Sequence, residues 1–380
     1  MRTDVAVIGA GVIGLACARE LGGAGVGVTV LETLDAPGRA SSSRANGGVR
    51  AQFATAPNIA FSRFSIAAYE TLETATGLLA FHQTGYLLLA GDAASERALR
   101  AGIELQRSHG VPTEWLEPDD ALARAPFLRP DGLRGAAFHP RDGFLDPAGV
   151  VQALLAGARE VGVEVRTNAT LARADRDADR WRLTLDGGET LAADIVVNAA
   201  GADARPVAAL FGADVPVAPV RRNLALFLDA PGPLTPMVVD LDTGVLVRRE
   251  VAGGWVVAYS DPADPPGRDT TLDPRFLEDL AARVGNRFPF LEDLPVDPAR
   301  CWAGLYPETP DHHAIVGPAP EVAGLLHAIG FGGHGVMHAP AAGRAIAELA
   351  TTGSSATFDL HPLRPERFAE GDLVVEPNVF

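Results

Sequence analysis

Apolar positions along the chain fall into two rhythms. In the first, short continuous apolar blocks alternate with helical periodicity. Asp4–Ile8 and Val28–Leu31 are buried-strand blocks, and an Ala/Leu-rich helix lies between them, reaching about Leu21. The rhythm returns at a helix over 148–161 opened by Asp146-Pro147, with Asp146 as its cap, and at the strand 163–165. It continues through the strand 194–200, then Leu325–Ile329 and a helix from about Met337 to Thr351. Asn58–Thr76 reads as an amphipathic helix capped by Asn58, Gly85–Ala90 as a strand leaving the first domain, and 93–109 as a polar helix. Trp181–Leu185 and Thr190-Leu191 flank Asp186-Gly187-Gly188, which predicts a hairpin. The second rhythm occupies 206–300. There Asn223–Leu228, Gly244–Arg248 and Trp255–Tyr259 alternate with Pro-rich turns and no βαβ pattern, which predicts an antiparallel sheet covering a substrate.

Chemistry sits where the strands of the first rhythm end. The first strand runs into Gly9-Ala10-Gly11-Val12-Ile13-Gly14, and the second ends on Glu32. Strand, GxGxxG, helix, strand and acid is the order that a dinucleotide site requires. Gly9 allows the tight turn, Gly11 admits a pyrophosphate to the helix N-terminus, and Gly14 lets helix and strand pack closely. Glu32 can accept from ribose hydroxyls, which favours FAD or NAD over NADP. The loop 37–50 is rich in donors suited to a second phosphate or a flavin ring. Asn198–Gly201 is a small-residue turn at a strand end. Gly330–Gly335 is a second Gly-rich strand-to-helix turn, whose helix terminus would stabilise negative charge on a flavin.

Composition narrows the classes. At 380 residues and 47% hydrophobic the chain forms a large core and two domains. A net charge of −16 argues against nucleic acid or anionic membrane as a partner. All 32 basic residues are arginine, so no lysine can serve as base, Schiff-base amine or oxygen activator. Cys17 and Cys301 stand outside any CxxC spacing and read as reduced packing residues of a cytoplasmic protein. No apolar run is long enough to span a bilayer. Arg2 with the following apolar run superficially looks like a signal peptide, but the glycine fingerprint fits a nucleotide-binding strand better. His312-His313 lack ligand spacing, so no metal is expected.

In order, Gly9–Gly14 with Glu32, Ser42–Arg50, Asn198–Gly201, Trp302–Asp311 and Gly330–Gly335 resemble the FAD-binding amino-acid and amine oxidoreductases. That family includes sarcosine oxidases, glycine oxidase and D-amino-acid dehydrogenases. Arg44–Asn58 and Gly304–Asp311 look most like the β-type subunits of sarcosine and proline dehydrogenases. The resemblance implies a two-domain α/β fold. A Rossmann-type, glutathione-reductase-like FAD-binding domain would comprise 1–80, 145–205 and 301–352. An antiparallel β-sheet substrate domain would comprise 81–144 and 206–300, followed by a tail, 353–380. FAD would be held by Gly9, Gly11, Val12, Ile13, Gly14, Glu32, Thr33 and Arg39, and by the loop residues Ser42, Ser43, Arg44, Asn46, Gly47 and Gly48. Val165, Ala200, Gly201, Gly304, Gly332, Gly333, His334, Gly335, Val336 and Met337 would complete the site, with Asp311–Gly317 lining the flavin.

Departures from the family bear on substrate and acceptor. The cysteine that bonds flavin in single-chain sarcosine oxidases is matched by Gly304, so FAD is expected to be non-covalent. Glycine oxidase and D-arginine dehydrogenase have a carboxylate-binding arginine where this chain has Tyr306. Sarcosine oxidase lysines are matched by Met337 and by about Val256. Arg50 matches a carboxylate-binding arginine of sarcosine oxidase and Arg222 one of D-arginine dehydrogenase; a salt bridge at the domain seam is the alternative for each. Tyr259 is a substrate candidate or a core tyrosine, and His334 a group touching flavin or substrate. The resemblance implies oxidation of the C–N bond of a small secondary or N-methylated amino acid or amine. A 2-hydroxy acid substrate, a flavin-bearing regulatory or structural subunit without turnover, and a plain NAD-dependent dehydrogenase, which would leave the late Gly-rich turn without a role, are the rivals. A homo-oligomer or an electron-transferring partner subunit would be compatible.

Overall fold

The computed structural model describes residues 1–261, 263–320 and 322–378. Five parallel strands form the centre of the first sheet, in the order Leu325–Ile329, Thr190–Asn198, Arg2–Ile8, Val28–Leu31 and Glu164–Arg166. Ile315–Pro318 joins antiparallel at one edge. The hairpin expected at 186–188 is present, pairing Arg180–Leu185 with the start of Thr190–Asn198. The two strands expected after that turn are one: Leu191 and Ala193 stay buried and carry the arm directly into the parallel sheet beside Arg2–Ile8.

The helices Val12–Gly23, Ala56–Thr76, Pro147–Glu160 and Gly335–Thr352 share one apolar core with the first sheet. A Cβ at Gly343 would lie 2.6 Å from the Ala16 carbonyl oxygen. The first and last of these helices therefore cross in backbone contact. Asp146 caps its helix through the Ala148 amide, as expected. The helix expected from Asn58 begins at Ala56 with Thr55 as N-cap. Asn58 is buried inside it and donates to Glu376 at 3.2 Å.

The second sheet runs Trp302–Glu308, Ala218–Phe227, Trp255–Tyr259, Val245–Arg249, Met237–Asp240, Tyr86–Ala90, Gly135–His139, Glu114–Leu116. It is antiparallel except where Met237–Asp240 pairs parallel with Tyr86–Ala90, so the purely antiparallel expectation is corrected there. Trp302–Glu308, assigned from the sequence to the nucleotide-binding domain, is hydrogen-bonded along its length to Ala218–Phe227 in this sheet. One face of the sheet, with Trp255, Val257 and Tyr259, packs on Phe276, Leu280 and Val284 of the helix Pro274–Val284.

Residues 353–378 are not a loose tail. Arg367 is fully buried and forms a two-pronged ion pair with Asp311 (2.7 and 3.0 Å). Glu376, also fully buried, accepts from the Ala54 amide at 3.1 Å and from the Thr55 hydroxyl at 2.6 Å. This carboxylate sits at the N-terminus of Ala56–Thr76, where the helix has no side-chain cap of its own. No described helix is long and apolar enough to cross a membrane. Cys17 and Cys301 are free thiols.

One core residue carries a pH prediction. Both ring nitrogens of His327 are buried without a hydrogen-bond partner. Burial lowers its pKa from 6.5 to about 4. The unfolded chain takes up this proton near 6.5 while the folded chain resists it down to about 4, so stability falls as pH drops through that window. The loss should reach about 3 kcal/mol by pH 4. Urea unfolding at pH 7, 5.5 and 4.5 checks it: His327→Leu should flatten the dependence, and an equal slope in that variant would count against it.

Candidate active site

The two sheets face each other across a cleft with about 1190 Å³ of atom-free space, part of it open to solvent. Its floor is made by turns of the first domain. Gly9 has φ +104°, and a Cβ there would meet the Ala199 carbonyl oxygen at 2.6 Å. At Gly14 a Cβ would come within 1.9 Å of the Gly9 oxygen. These two glycines shape the turn from behind and do not line the cleft. Gly11, Val12 and Ile13 do line it, at a helix N-terminus with no side-chain cap of its own. The Val12 amide is held by the Ser42 hydroxyl at 3.2 Å. A second uncapped N-terminus, that of Gly335–Thr352, enters the same cleft through Gly332–Met337. Two convergent helix termini suit an anion such as a pyrophosphate or a reduced flavin.

Glu32 stands at the end of Val28–Leu31. Its carboxylate accepts from the Ala10 amide at 2.7 Å and the Leu34 amide at 2.9 Å, bracing the glycine turn, and does not line the cleft. Ser42, Arg44, Asn46, Gly47 and Gly48 line the cleft as expected, with Gly201 and Gly304. Arg44 ties loop to second sheet by donating to the Ala303 carbonyl at 2.7 Å. Thr33, Arg39, Ser43, Val165 and Ala200 lie off the cleft wall. Arg39 is paired with Asp35 in solvent, and Ser43 bonds back to the Arg39 carbonyl at 3.1 Å. Asp311, expected to line the flavin, is instead the buried partner of Arg367. His312 and His313 serve Glu308 (3.2 Å) and Thr55 (2.9 Å) respectively.

The roof comes from the second sheet, and the period of two decides which side chains reach it. Tyr86, Arg222, Leu224, Leu246 and Tyr306 point into the cleft. Tyr259 points the other way: its ring stacks on Phe276 at 5.3 Å and its hydroxyl reaches Asp279 at 3.3 Å, so it is the core tyrosine and not a site residue. Val256, placed by the resemblance near the lysine position, is fully buried beside Leu224 and Leu226 and does not line the cleft. Leu224 and Leu246 line that stretch of wall. Tyr86, Leu224 and Leu246 went unrecognised in the sequence, and strand parity relative to Arg222 would have been the signal for Leu224.

Three arginines line the cleft and no described lining residue is a carboxylate. Arg222 donates to Asp264 at 3.2 Å and lies 3.7 Å from Glu308, an ion pair within the second sheet and its loops and not across the domain seam. Arg50 is buried. It lies 3.8 Å over the Phe53 ring and donates to the Gln52 carbonyl and, at 2.5 Å, to the Asn378 carbonyl. Burial lowers its pKa from the ordinary arginine value. His334 meets Phe53 edge-on at 4.9 Å. Burial, then the Arg50 cation, push its pKa well below the ordinary histidine value, so its ring is neutral. The positive charge that His334 could have supplied is therefore absent.

A glycine-built cradle under two helix termini, roofed by a second sheet, defines a two-domain flavin-dependent oxidoreductase. The chain belongs to the family described as FAD dependent oxidoreductase, which matches residues 4–349. It is 30% identical to the bovine (Bos taurus) protein named FAD-dependent oxidoreductase domain-containing protein 1, over 99% of this chain and 86% of that one. It is similar in structure to L-proline dehydrogenase from P. horikoshii, with a TM-score of 0.92 at 29% identity, covering 98% and 99% of the two chains. Glycine oxidase from Geobacillus kaustophilus matches with a TM-score of 0.85 at 28% identity, covering 96% and 99%.

Proposed function

We propose that this protein oxidises the C–N bond of a small secondary or N-methylated amino acid. The observation that carries the reading is the cleft lining: Arg50 and Arg222 stand beside Tyr86 and Tyr306 with no lining carboxylate among the described residues. Such a wall favours a carboxylate and disfavours an ammonium, so the amine is bound unprotonated, the form from which a hydride can leave. FAD supplies the hydride acceptor. Arg50, which lines the cleft beside Tyr86 and Tyr306, anchors the carboxylate through its planar guanidinium fork. Tyr86 and Tyr306 stay protonated through burial and orient the substrate as donors. Leu224 and Leu246 exclude water above them. The likeness to proline dehydrogenase and glycine oxidase supports a small amino acid. FAD is held non-covalently, since Gly304 has no nucleophile and Cys301 lies outside the lining. Anaerobic mixing with L-proline, sarcosine, glycine, L-lactate and D-lactate tests the reading. Bleaching of the flavin absorbance by a secondary amino acid supports it; bleaching by hydroxy acids alone overturns it.

Arg50→Ala should raise KM for a carboxylate-bearing substrate by roughly ten- to hundredfold, the equivalent of about 1.5–3 kcal/mol for a charge-assisted hydrogen bond. Flavin content should be unchanged. Steady-state kinetics with a flavin assay separate the cases: an unchanged KM makes Arg50 structural, and loss of FAD makes it a cofactor residue.

A further inference from the structure

Pro340 interrupts the hydrogen-bond ladder of the helix Gly335–Thr352 one turn after the helix enters the cleft. Proline has no N–H for the carbonyl four residues back, and its ring crowds that carbonyl. The carbonyl belongs to Val336, which lines the cleft. It is taken by Tyr69, whose hydroxyl donates to it at 2.5 Å. On the same face of Ala56–Thr76, the Ser65 hydroxyl accepts from the Ala341 amide at 3.2 Å. The Ser62 hydroxyl pairs with His338 Nε2 at 2.9 Å. Residues 62, 65 and 69 are spaced to line up on one helix face, and all three are buried. They bracket the proline: two contacts before it, at Val336 and His338, and one just after, at Ala341. Burial raises the Tyr69 pKa, so its hydroxyl remains a donor throughout the working pH range.

We propose that Tyr69 is a positioning residue that sets the electron affinity of the flavin by fixing the first turn of Gly335–Thr352. The helix has no side-chain cap there, and Gly335, Val336 and Met337 of that turn line the cleft. The field of a helix terminus falls off within its first turn, so the direction of these few amides decides how well negative charge on a reduced flavin is stabilised. Without the Tyr69 hydroxyl, a buried carbonyl loses its partner and the turn reorients to find another. The proposal rests on FAD dependence and not on the identity of the substrate.

The test is a redox titration of the holoenzyme against indicator dyes, which needs no substrate. Tyr69→Phe keeps the ring and removes only the donor. At a fixed dye potential near the wild-type midpoint, the ratio of reduced to oxidised flavin should fall about tenfold, as expected for roughly 1.4 kcal/mol. FAD should remain bound. Pro340→Ala returns an N–H to the Val336 carbonyl, so adding Tyr69→Phe in that background should change the ratio less than about twofold. An unchanged ratio in Tyr69→Phe overturns the proposal, even if its melting temperature falls. An equal fall in both backgrounds also overturns it. If Tyr69→Phe alone does not fold, the double variant should fold with a reduced-to-oxidised ratio within about twofold of Pro340→Ala, and a larger fall overturns the proposal.

Discussion

Asp311→Ala is expected to lower the unfolding free energy by about 3–5 kcal/mol, the cost of leaving one member of a buried ion pair without the other. Both side chains of the pair are fully buried. The Arg367 guanidinium spans both Asp311 oxygens and donates a further bond to the His313 carbonyl at 3.0 Å. Burial pushes the Asp311 carboxyl up, but the Arg367 contacts and the His313 amide outweigh it and hold it below the usual range. Without Asp311 the guanidinium keeps its desolvation and loses its counter-charge. The effect should reach the site, because the Asp311 carbonyl also receives the Glu376 amide at 3.1 Å, and the next residues lead to the Asn378 carbonyl on Arg50. The double variant Asp311→Leu/Arg367→Met removes both charges and should recover most of the stability. Urea unfolding of the two variants decides. A single variant within about 1 kcal/mol of wild type would show that water reaches the pair.

Features with local causes were legible in the sequence. Within the glycine turn Gly14 is one: the atoms that demand it, the Gly9 oxygen and the Val7 side chain, lie a few residues away, and the spacing records it, whereas the Ala199 carbonyl that crowds Gly9 is distant in sequence. The strand blocks of the first sheet are another, because burial on both faces leaves continuous apolar runs. Features decided by distant partners were not. Trp255–Tyr259 is a strand as expected, but which of its faces meets the cleft depends on where Pro274–Val284 packs, and this turned Tyr259 away. Trp302–Glu308 contains Gly304 and Pro307 and reads as motif and loop, yet it pairs along its whole length with residues some 80 positions earlier. The burial of Glu376 is set by a helix start more than 300 residues away. Its neighbours Leu373, Val374 and Val375 are exposed, so the hydrophobic pattern points in the wrong direction there.

The largest rate effect concerns oxygen. Once reduced, the flavin should reoxidise in aerated buffer about 10²- to 10³-fold more slowly than that of an oxidase with a preorganised cation at the reacting face. Electron transfer to oxygen creates a superoxide-like anion, and a fixed positive charge placed before the event stabilises it. The chain has no lysine, and the stretch of wall near the position matched to such a lysine is Leu224 and Leu246 over buried Val256. His334 is neutral. Arg222 has its charge taken up by Asp264 and Glu308. Arg50 lies buried against Phe53 with donors directed at the Gln52 and Asn378 carbonyls. The protein should therefore work as a dehydrogenase that passes electrons to a quinone, a dye or a partner protein. Photoreducing the holoenzyme anaerobically and mixing it with aerated buffer in a stopped-flow instrument measures the step without any substrate. Reoxidation within milliseconds, with stoichiometric hydrogen peroxide, would make the protein an oxidase. It would also transfer the role of oxygen-activating cation to Arg50, which Arg50→Met would then remove.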